Sequence, residues 1–597
     1  MGYLEQNEQF LKKAYQKAVI PCMLSVLSGS LNILADGILV GQRLGADALA
    51  AISFSLPVYL VLCIAGSFLV SGTAICASAA IGSGNQEQAQ KLYQMAIAWC
   101  VLVSLAITAA GLVCIKPLSS FLCGGAASAE VADGTSAAAL EGGYAGGASV
   151  MALTAEYAGI TLAGALPKIL IYIPFWFLRL DGRNRWVTVM MAVMGAGNVV
   201  LDLIFLYVLD LGVFGAGLAS VIATAAAAAL GFVLLCDKKS SFRFGFLLGD
   251  GEISWRRIAQ AGSPSAMNNL FQTLRVTVIN SLLLQSGGST LVAAFTAVNC
   301  ISAFSESVTG GVPQAASAML GICSGEHDNG SVRILVRREL RSGAAYCALF
   351  SGVILAGADL IAWLYALPVS LGFAMLSLSL SLFPGLLNSV LSGYYNVSGR
   401  ILWSNGMILL RTFLMPCMSL WLLTRHGQNP WWFLVLGELL TSVVWLAAAE
   451  LYHRRTAGYS RFLLMDCALE ESGNVINFSV ADSDEAICDA SSRITQFCEK
   501  NGMLPKQTMR ISLALEEILT VIAQENREGA VEFDLRVFAL QGEIGIRIRY
   551  SGTAFDPFRA SDGEQEDRFM GIRMIDSLVK ETQYLRTFGT NTLRILI

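Results

Sequence analysis

Repeated apolar runs of about 20 or more residues, from Ala14 to about Tyr452, constrain this chain more than any other feature. Each is long enough to cross a hydrocarbon core of about 30 Å, and about twelve can be placed. Composition agrees. Of 597 residues 55% are hydrophobic and 14% charged, against about 25% charged in an average soluble domain. The start, MGYLEQNEQFLKKAYQK, is too acidic and amphipathic for a signal peptide, and no small-residue cleavage site follows, so the first helix is expected to stay.

Charge divides the chain. From Asp466 to Ile597 there are 22 acidic and 14 basic residues, so a soluble tail follows a membrane body. Within the body the basic residues fall in alternate loops: Lys91; Arg179, Arg183 and Arg185; Lys238, Lys239 and Arg243; Arg333, Arg337, Arg338 and Arg341; Arg400; Arg454 and Arg455. By the positive-inside rule these loops are cytoplasmic, both termini lie in the cytosol and the number of spans is even. A multi-pass protein of the cytoplasmic (inner) membrane is expected, with the bilayer and no nucleic acid as partner. Cysteines such as Cys76, Cys100 and Cys347 sit in apolar runs without ligand spacing, and His327, His426 and His453 are scattered, so no metal site is expected.

An internal repeat organises the body. IGSGNQEQAQKL from Ile81 recurs as ICSGEHDNGSVRIL from Ile322, and DGRNRWVTVM around Gly182 recurs as SGRILWSNGM around Gly399. The offsets are 241 and 217 residues, so the first half carries 24 extra residues between its markers. They are visible as an Ala/Gly/Ser-rich stretch, residues 124–151, expected to be a flexible extracytoplasmic loop. Six spans per half bring both halves in from the same side, with a substrate cavity between them.

Polar residues inside the apolar runs are the candidate site. Asn198 and Asp202 are four apart and share one face of the fifth span; Asn32 and Asp36 do the same on the first. Ser220 follows Gly215 and Gly217, where small residues permit close helix approach. Carboxylates cost several kcal/mol in hydrocarbon and persist mainly where they face a cavity and handle ions or protons. The blander alternative is hydrogen bonding between helices, which suits Asn198 or Ser220 alone better than it suits two carboxylates.

ADGILVGQRLGADALAAISFSLP, AAIGSGNQEQAQ, the loop Arg179-Leu180-Asp181-Gly182 and NVVLDLIFLYVLDLGVFGAGLAS resemble the multidrug and toxic compound extrusion (MATE) transporters, over about Leu11 to Tyr452. The resemblance implies an all-α body of about twelve transmembrane helices in two six-helix lobes, alternating access, and export of organic, often cationic, compounds against protons or sodium. It also implies a first-lobe cation site at Asp36, Asn198, Asp202 and Ser220, the last usually a threonine, and a bend of the first helix at Pro21. Another branch of the family has a seventh-helix glutamate where this chain has Gln272, and a tenth-helix aspartate that is missing here. Arg275 and Glu306 lie deep in apolar sequence, as a neutralising pair or as substrate contacts.

In the tail, FSVADSDEAICDASSRITQFCEKNGM reads as a strand and an amphipathic helix, and MRISLALEEILTVIAQE as a second helix. VEFDLRVFAL and EIGIRIRYSG alternate with period two, as strands do. With SGTAFDPF and GIRMIDSLVKETQYLRTFGTNTLRI the order resembles the GHKL-type ATPase domain of anti-sigma serine kinases, an α/β two-layer sandwich. The resemblance places a magnesium-binding Asn four residues after Glu517, where Val521 stands, and an adenine-contacting Asp where Tyr550 precedes Gly552. Glu517 and Asp556 remain as fold residues, and the glycine-rich lid is reduced to Gly571. Oxygen ligands and close backbone approach are what Mg-ATP needs, so neither ATP nor Mg²⁺ is expected as a cofactor.

The expected domains are an N-terminal lobe (1–235), a C-terminal lobe (236–455), a linker (456–474) and the ATPase-like domain (475–597). The function expected is non-enzymatic: a secondary antiporter coupled to H⁺ or Na⁺, taking a small, cationic organic substrate, its tail a regulatory module for a cytosolic protein. A lipid-linked precursor flippase and a membrane-tethered serine kinase are the alternatives.

Overall fold

The structure is a computed structural model that describes residues 2–119, 143–237, 240–249, 251, 253–357, 371–456, 458–467, 474–526, 531–540, 543–563, 572–573, 579–587 and 590–596. The side chains of residues 33–38, Asp36 among them, and the residues 120–142 of the insertion lie outside that description, as does Gly571.

Hydrocarbon offers the backbone no hydrogen-bond partners, so the apolar runs close their own as helices. These are α1 (Gly2–Ser83), α2 (Gln86–Val113), α3 (Gly143–Ala163), α4 (Ala165–Leu170), α5 (Tyr172–Leu180), α6 (Asn184–Asp202) and α7 (Gly212–Leu235) in the first half. The second half has α8 (Trp255–Thr309), α9 (Gly311–Gly325), α10 (Asn329–Ala356), α11 (Gly372–Val397), α12 (Ile401–Leu409), α13 (Met415–Arg425) and α14 (Phe433–Arg455). Seven helices among the described residues are long and apolar enough to cross a membrane, and a pair bent by 57°, Met151–Ala163 with Ala165–Leu180, makes an eighth. α1 and α8 run for 82 and 55 residues, each length enough for two crossings of about 20 residues. The loop expected over 124–151 ends earlier than its composition suggests, because residues 143–151 already belong to α3.

The repeat is visible in the backbone. Gly182 and Gly399 both sit at φ +77°, and both turns close with a six-residue bond, Arg183 N to Leu178 O and Arg400 N to Tyr395 O, each 2.8 Å. That left-handed position is where glycine carries no steric penalty. Asn85 and Asp328 cap the next pair of corresponding helices, accepting from Gln88 N at 2.9 Å and Ser331 N at 3.0 Å. The halves also touch through glycines: a Cβ on Gly72 would lie 2.4 Å from Ile258 O, and one on Gly262 2.1 Å from Phe68 O.

Two compact units divide the chain: residues 18–326 with 336–447, and residues 1–17, 327–335 and 448–597. The second contains an antiparallel five-stranded sheet in the order β1-β2-β3-β5-β4, from β1 (Val475–Ala481), β2 (Glu532–Leu540), β3 (Glu543–Tyr550), β4 (Glu581–Thr587) and β5 (Thr590–Leu596). α15 (Asp484–Lys500) and α16 (Pro505–Glu525) share an apolar core with one sheet face: Ile494, Leu515, Ile518, Phe533, Leu535, Ile546 and Ile548. The expected linker is ordered over residues 458–467, where Leu464 and Met465 are buried and Tyr459 bridges to Asp466.

Candidate functional site

α6 and α7 place the first-lobe residues. Asn198 and Asp202 are buried, at 1% and 0% exposure, on the face of α6 that Gly195 turns toward α1, where a Cβ would lie 3.7 Å from Asn32 Cβ. Both polar atoms of the Asn198 side chain lack a hydrogen-bond partner among the described residues. Directly after Asp202 the helix widens into a π-turn, Leu203–Val208, a geometry often found at functional sites. Pro21 lies inside α1, and its carbonyl accepts from Thr188 Oγ1 at 2.6 Å.

Asn32 and Ser220 line a cavity of about 250 Å³ together with Tyr59, Cys63, Lys168 and Tyr172. Asn198 and Asp202 are not in that lining. Lys168 is 9% exposed, its ammonium 5.5 Å from the Tyr59 ring centroid. Sequence reasoning passed over Lys168 because a single lysine near an apolar run reads as a span end.

A second cavity, about 340 Å³, is lined by Gln272, Arg275, Glu306, Arg411 and Glu438. Gln272 donates to Glu306 Oε1 at 2.8 Å. Arg411 Nε lies 2.8 and 3.1 Å from the two oxygens of Glu438, which also accepts from Asn388 Nδ2 at 2.8 Å. Glu438 is thus closed off by its own neighbours, and Arg275 keeps a buried Nε without a partner among the described residues. Arg411 lies in a second π-turn, Leu410–Leu414, so each half has a polar candidate at or beside such a widening. The pair spans 27 residues across two helices, beyond any local signal.

Arg179 corrects the loop reading. It is 3% exposed, donating to Ser25 Oγ at 3.0 Å and to Gln314, with its guanidinium 4.0 Å from the Phe175 ring centroid. It is an interior cation, and Arg183, in an ion pair with Asp181 at 3.2 Å, is the loop charge.

In the second unit, the positions that the resemblance compares with a nucleotide site are built into the fold. Val521 and Tyr550 are core residues at 5% and 0% exposure, and the Tyr550 hydroxyl donates to Phe555 O. Asp556 accepts from Phe558 N at 3.2 Å, at the start of the short helix α17 (Pro557–Gly563). Gly552, at φ +113°, packs on Asn526, whose Oδ1 accepts from Thr553 N at 2.9 Å. Glu517 is exposed.

Residues 21–208 match the MatE family model. Among curated proteins, the FAD transporter of Shewanella oneidensis is 26% identical over 281 residues, 46% of this chain, which spans 57% of that relative. The probable multidrug resistance protein YoeA of Bacillus subtilis is 23% identical over 349 residues, 56% of this chain and 69% of the relative. Among solved structures, the outward-facing conformation of a multidrug resistance MATE family transporter of the MOP superfamily aligns with TM-score 0.64 at 22% identity, over 73% of this chain and 94% of that one. A MOP superfamily transporter from Pyrococcus furiosus, described by the reverse polarity of its binding pocket, aligns with TM-score 0.63 at 22% identity, over 74% and 96%. The membrane body therefore has the fold of the MATE-type transporters.

Proposed function

We propose that this chain is a secondary exporter of organic solutes, driven by H⁺ or Na⁺ flowing inward through the first-lobe set Asp36, Asn198, Asp202 and Ser220. One observation carries the reading: Asp202, with no exposed surface, lies one helical turn from the Asn198 amide, whose polar atoms have no partner among the described residues. A buried carboxylate near an amide can take up a proton or a monovalent cation. Pro21 supplies no N–H to the α1 ladder, which gives that helix a place to bend as the site loads.

Cargo is assigned to the 340 Å³ cavity, where Glu306 would meet a cationic group and Arg275 an anionic one. Loading the first lobe and occupying the second become alternatives of one cycle, the basis of exchange. The tail acts as a regulatory module, open to a cytosolic partner protein, without nucleotide chemistry.

A second reading, an exporter or flippase of anionic or lipid-linked cargo, is favoured by Arg275 and Arg411 at the cavity, with Lys168 and Arg179 also interior. The likeness to a protein named FAD transporter leans the same way. The kinase alternative has no support in the residues at the nucleotide positions.

Sealed vesicles with pH and sodium gradients imposed separately, loaded in turn with a cationic dye and with FAD, test both readings. Gradient-driven movement of the dye supports the first, and of FAD the second. No gradient-dependent movement of either overturns the coupling.

A further inference from the structure

Asp328 and Asn85 occupy the same place in the two halves, each accepting from a backbone N–H at the start of a helix. A neutral amide is enough for that cap in the first half, so capping does not require the acid in the second. The Asp328 carboxylate has further partners. Its Oδ2 lies 2.7 Å from Arg547 Nη1 and 3.9 Å from Arg549 Nη1, and its Oδ1 lies 3.5 Å from Arg536 Nη1. Arg536 Nη2 also donates to His327 O at 2.8 Å, and Arg547 Nη2 bonds Asp534 Oδ2 at 3.0 Å. Asp328, Asp534, Arg536 and Arg547 are all at most 2% exposed.

The three arginines and Asp534 stand at the centre of the sheet face opposite the apolar core, on β2 and β3, where register sets Asp534 against Arg549 and Arg536 against Arg547. The residues 327–335 belong to this unit, while the rest of α10, from Val336, belongs to the membrane body. The first turns of α10 are therefore held by the sheet of their own unit. Asn329 Nδ2 to Asp466 O at 2.7 Å adds a second hold.

We propose that the segment His327–Leu335 and the outer face of the cytosolic sheet form a reversible charge latch through which the C-terminal domain controls transport. The chemistry of the face argues for reversibility. Surfaces buried for good are predominantly apolar, whereas this centre consists of charges that water can solvate once the segment leaves. A polar, geometrically exacting contact fixes register while tolerating both states, the best-attested use of buried ion pairs. Among the described residues, Asp328 and Asp534 both face the three guanidinium groups with the segment docked, and Asp328 is withdrawn when it leaves.

The test uses the full-length protein carrying Asp328→Asn, Arg547→Gln, both together, or the milder Arg549→Gln, in detergent and in vesicles. Protease release of the domain should rise at least tenfold for either of the first two. Transport should change at least threefold, in the same direction for both. The double variant should fall short of the sum of the two singles, since they share the Asp328–Arg547 contact. Arg549→Gln, at a longer and more exposed pair, should give a smaller change of the same sign. Asn85→Ala, which weakens the equivalent cap without touching the sheet, should not speed release. Unchanged release in Asp328→Asn overturns the latch. Faster release with wild-type transport rates overturns its control of transport.

Discussion

Gly82 and Gly325 meet backbone to backbone, so that a Cβ on either would lie 2.9 Å from the other's Cα. They end α1 and α9, one from each half, and the same Cβ atoms would lie 2.4 Å from Ile322 O and 2.5 Å from Ala79 O. Backbone atoms at that range have no rotamer to escape into. Gly325→Val should hold this end of the body apart, lowering transport at least tenfold while insertion and yield stay near wild type. Overpacking costs about 1–3 kcal/mol, enough to shift a two-state equilibrium without unfolding the protein. Vesicle transport beside detergent-solubilised yield checks this, and normal transport would mean the contact does not open and close.

Asp202→Asn keeps the size and removes the charge. Gradient-driven export should fall at least tenfold, a loss of about 1.4 kcal/mol or more, with thermal stability unchanged or raised because a buried carboxylate is removed. Asn198→Ala should weaken coupling less. Transport at wild-type rates by Asp202→Asn, with the gradient dependence intact, would remove Asp202 from the proposed set.

What the sequence carried and what it did not follow from how far each signal reaches. The repeat around Gly182 and Gly399 was legible because a left-handed turn needs a glycine at one position, and φ agrees at both. Strands β2 and β3 were legible because their alternation is local, as was the burial of Asn198 and Asp202, four residues apart on an apolar helix. Arg411 with Glu438, and Asp328 with Arg547, were not: they lie 27 and 219 residues apart, brought together only by packing. Read alone, Asp328 in GEHDNGS is a turn residue, and the arginines of β2 and β3 are the solvated face of a sheet. Arg179 reads in sequence as a loop charge, since its position beside Asp181-Gly182 does not say which way the side chain turns.

Breaking Arg411–Glu438 should be felt in stability first. The side chains are 23% and 17% exposed, so the pair is only partly shielded from water. Glu438→Gln leaves the guanidinium without its counter-charge and should lower stability by about 1–3 kcal/mol. Glu306→Gln, whose carboxylate faces the cavity, should leave stability alone and change cargo affinity. Thermal unfolding in detergent beside cargo binding separates the two, and an equal loss of stability in both would place Glu306 in the scaffold.

The tail should not bind Mg-ATP in the full-length protein. Val521 is packed among Ile518, Ile522 and Leu519 in the apolar core, and Tyr550 has no exposed surface. Val521→Asn should therefore destabilise the domain rather than restore a metal ligand, since an amide there has no partner to satisfy it. Calorimetric titration with ATP and Mg²⁺ reads this directly, and a magnesium-dependent micromolar dissociation constant would refute the ligand assignment.

Acid sensitivity of the latch follows from Asp328. Burial pushes its carboxyl up, but the guanidinium groups of Arg547, Arg536 and Arg549 outweigh burial and hold it well below the usual carboxylate range. An unfolded aspartate, with a pKa of about 3.9, binds its proton first as pH falls. The stabilisation is therefore complete above about pH 4 and is lost only as pH drops below that, toward the lowered folded value. The difference in domain release between wild type and Asp328→Asn should stay constant from about pH 8 to 5 and shrink only in stronger acid. A difference that closed between about pH 7 and 5 would mean burial, not the arginines, sets the carboxyl, and the acid would then be neutral where the latch needs it charged.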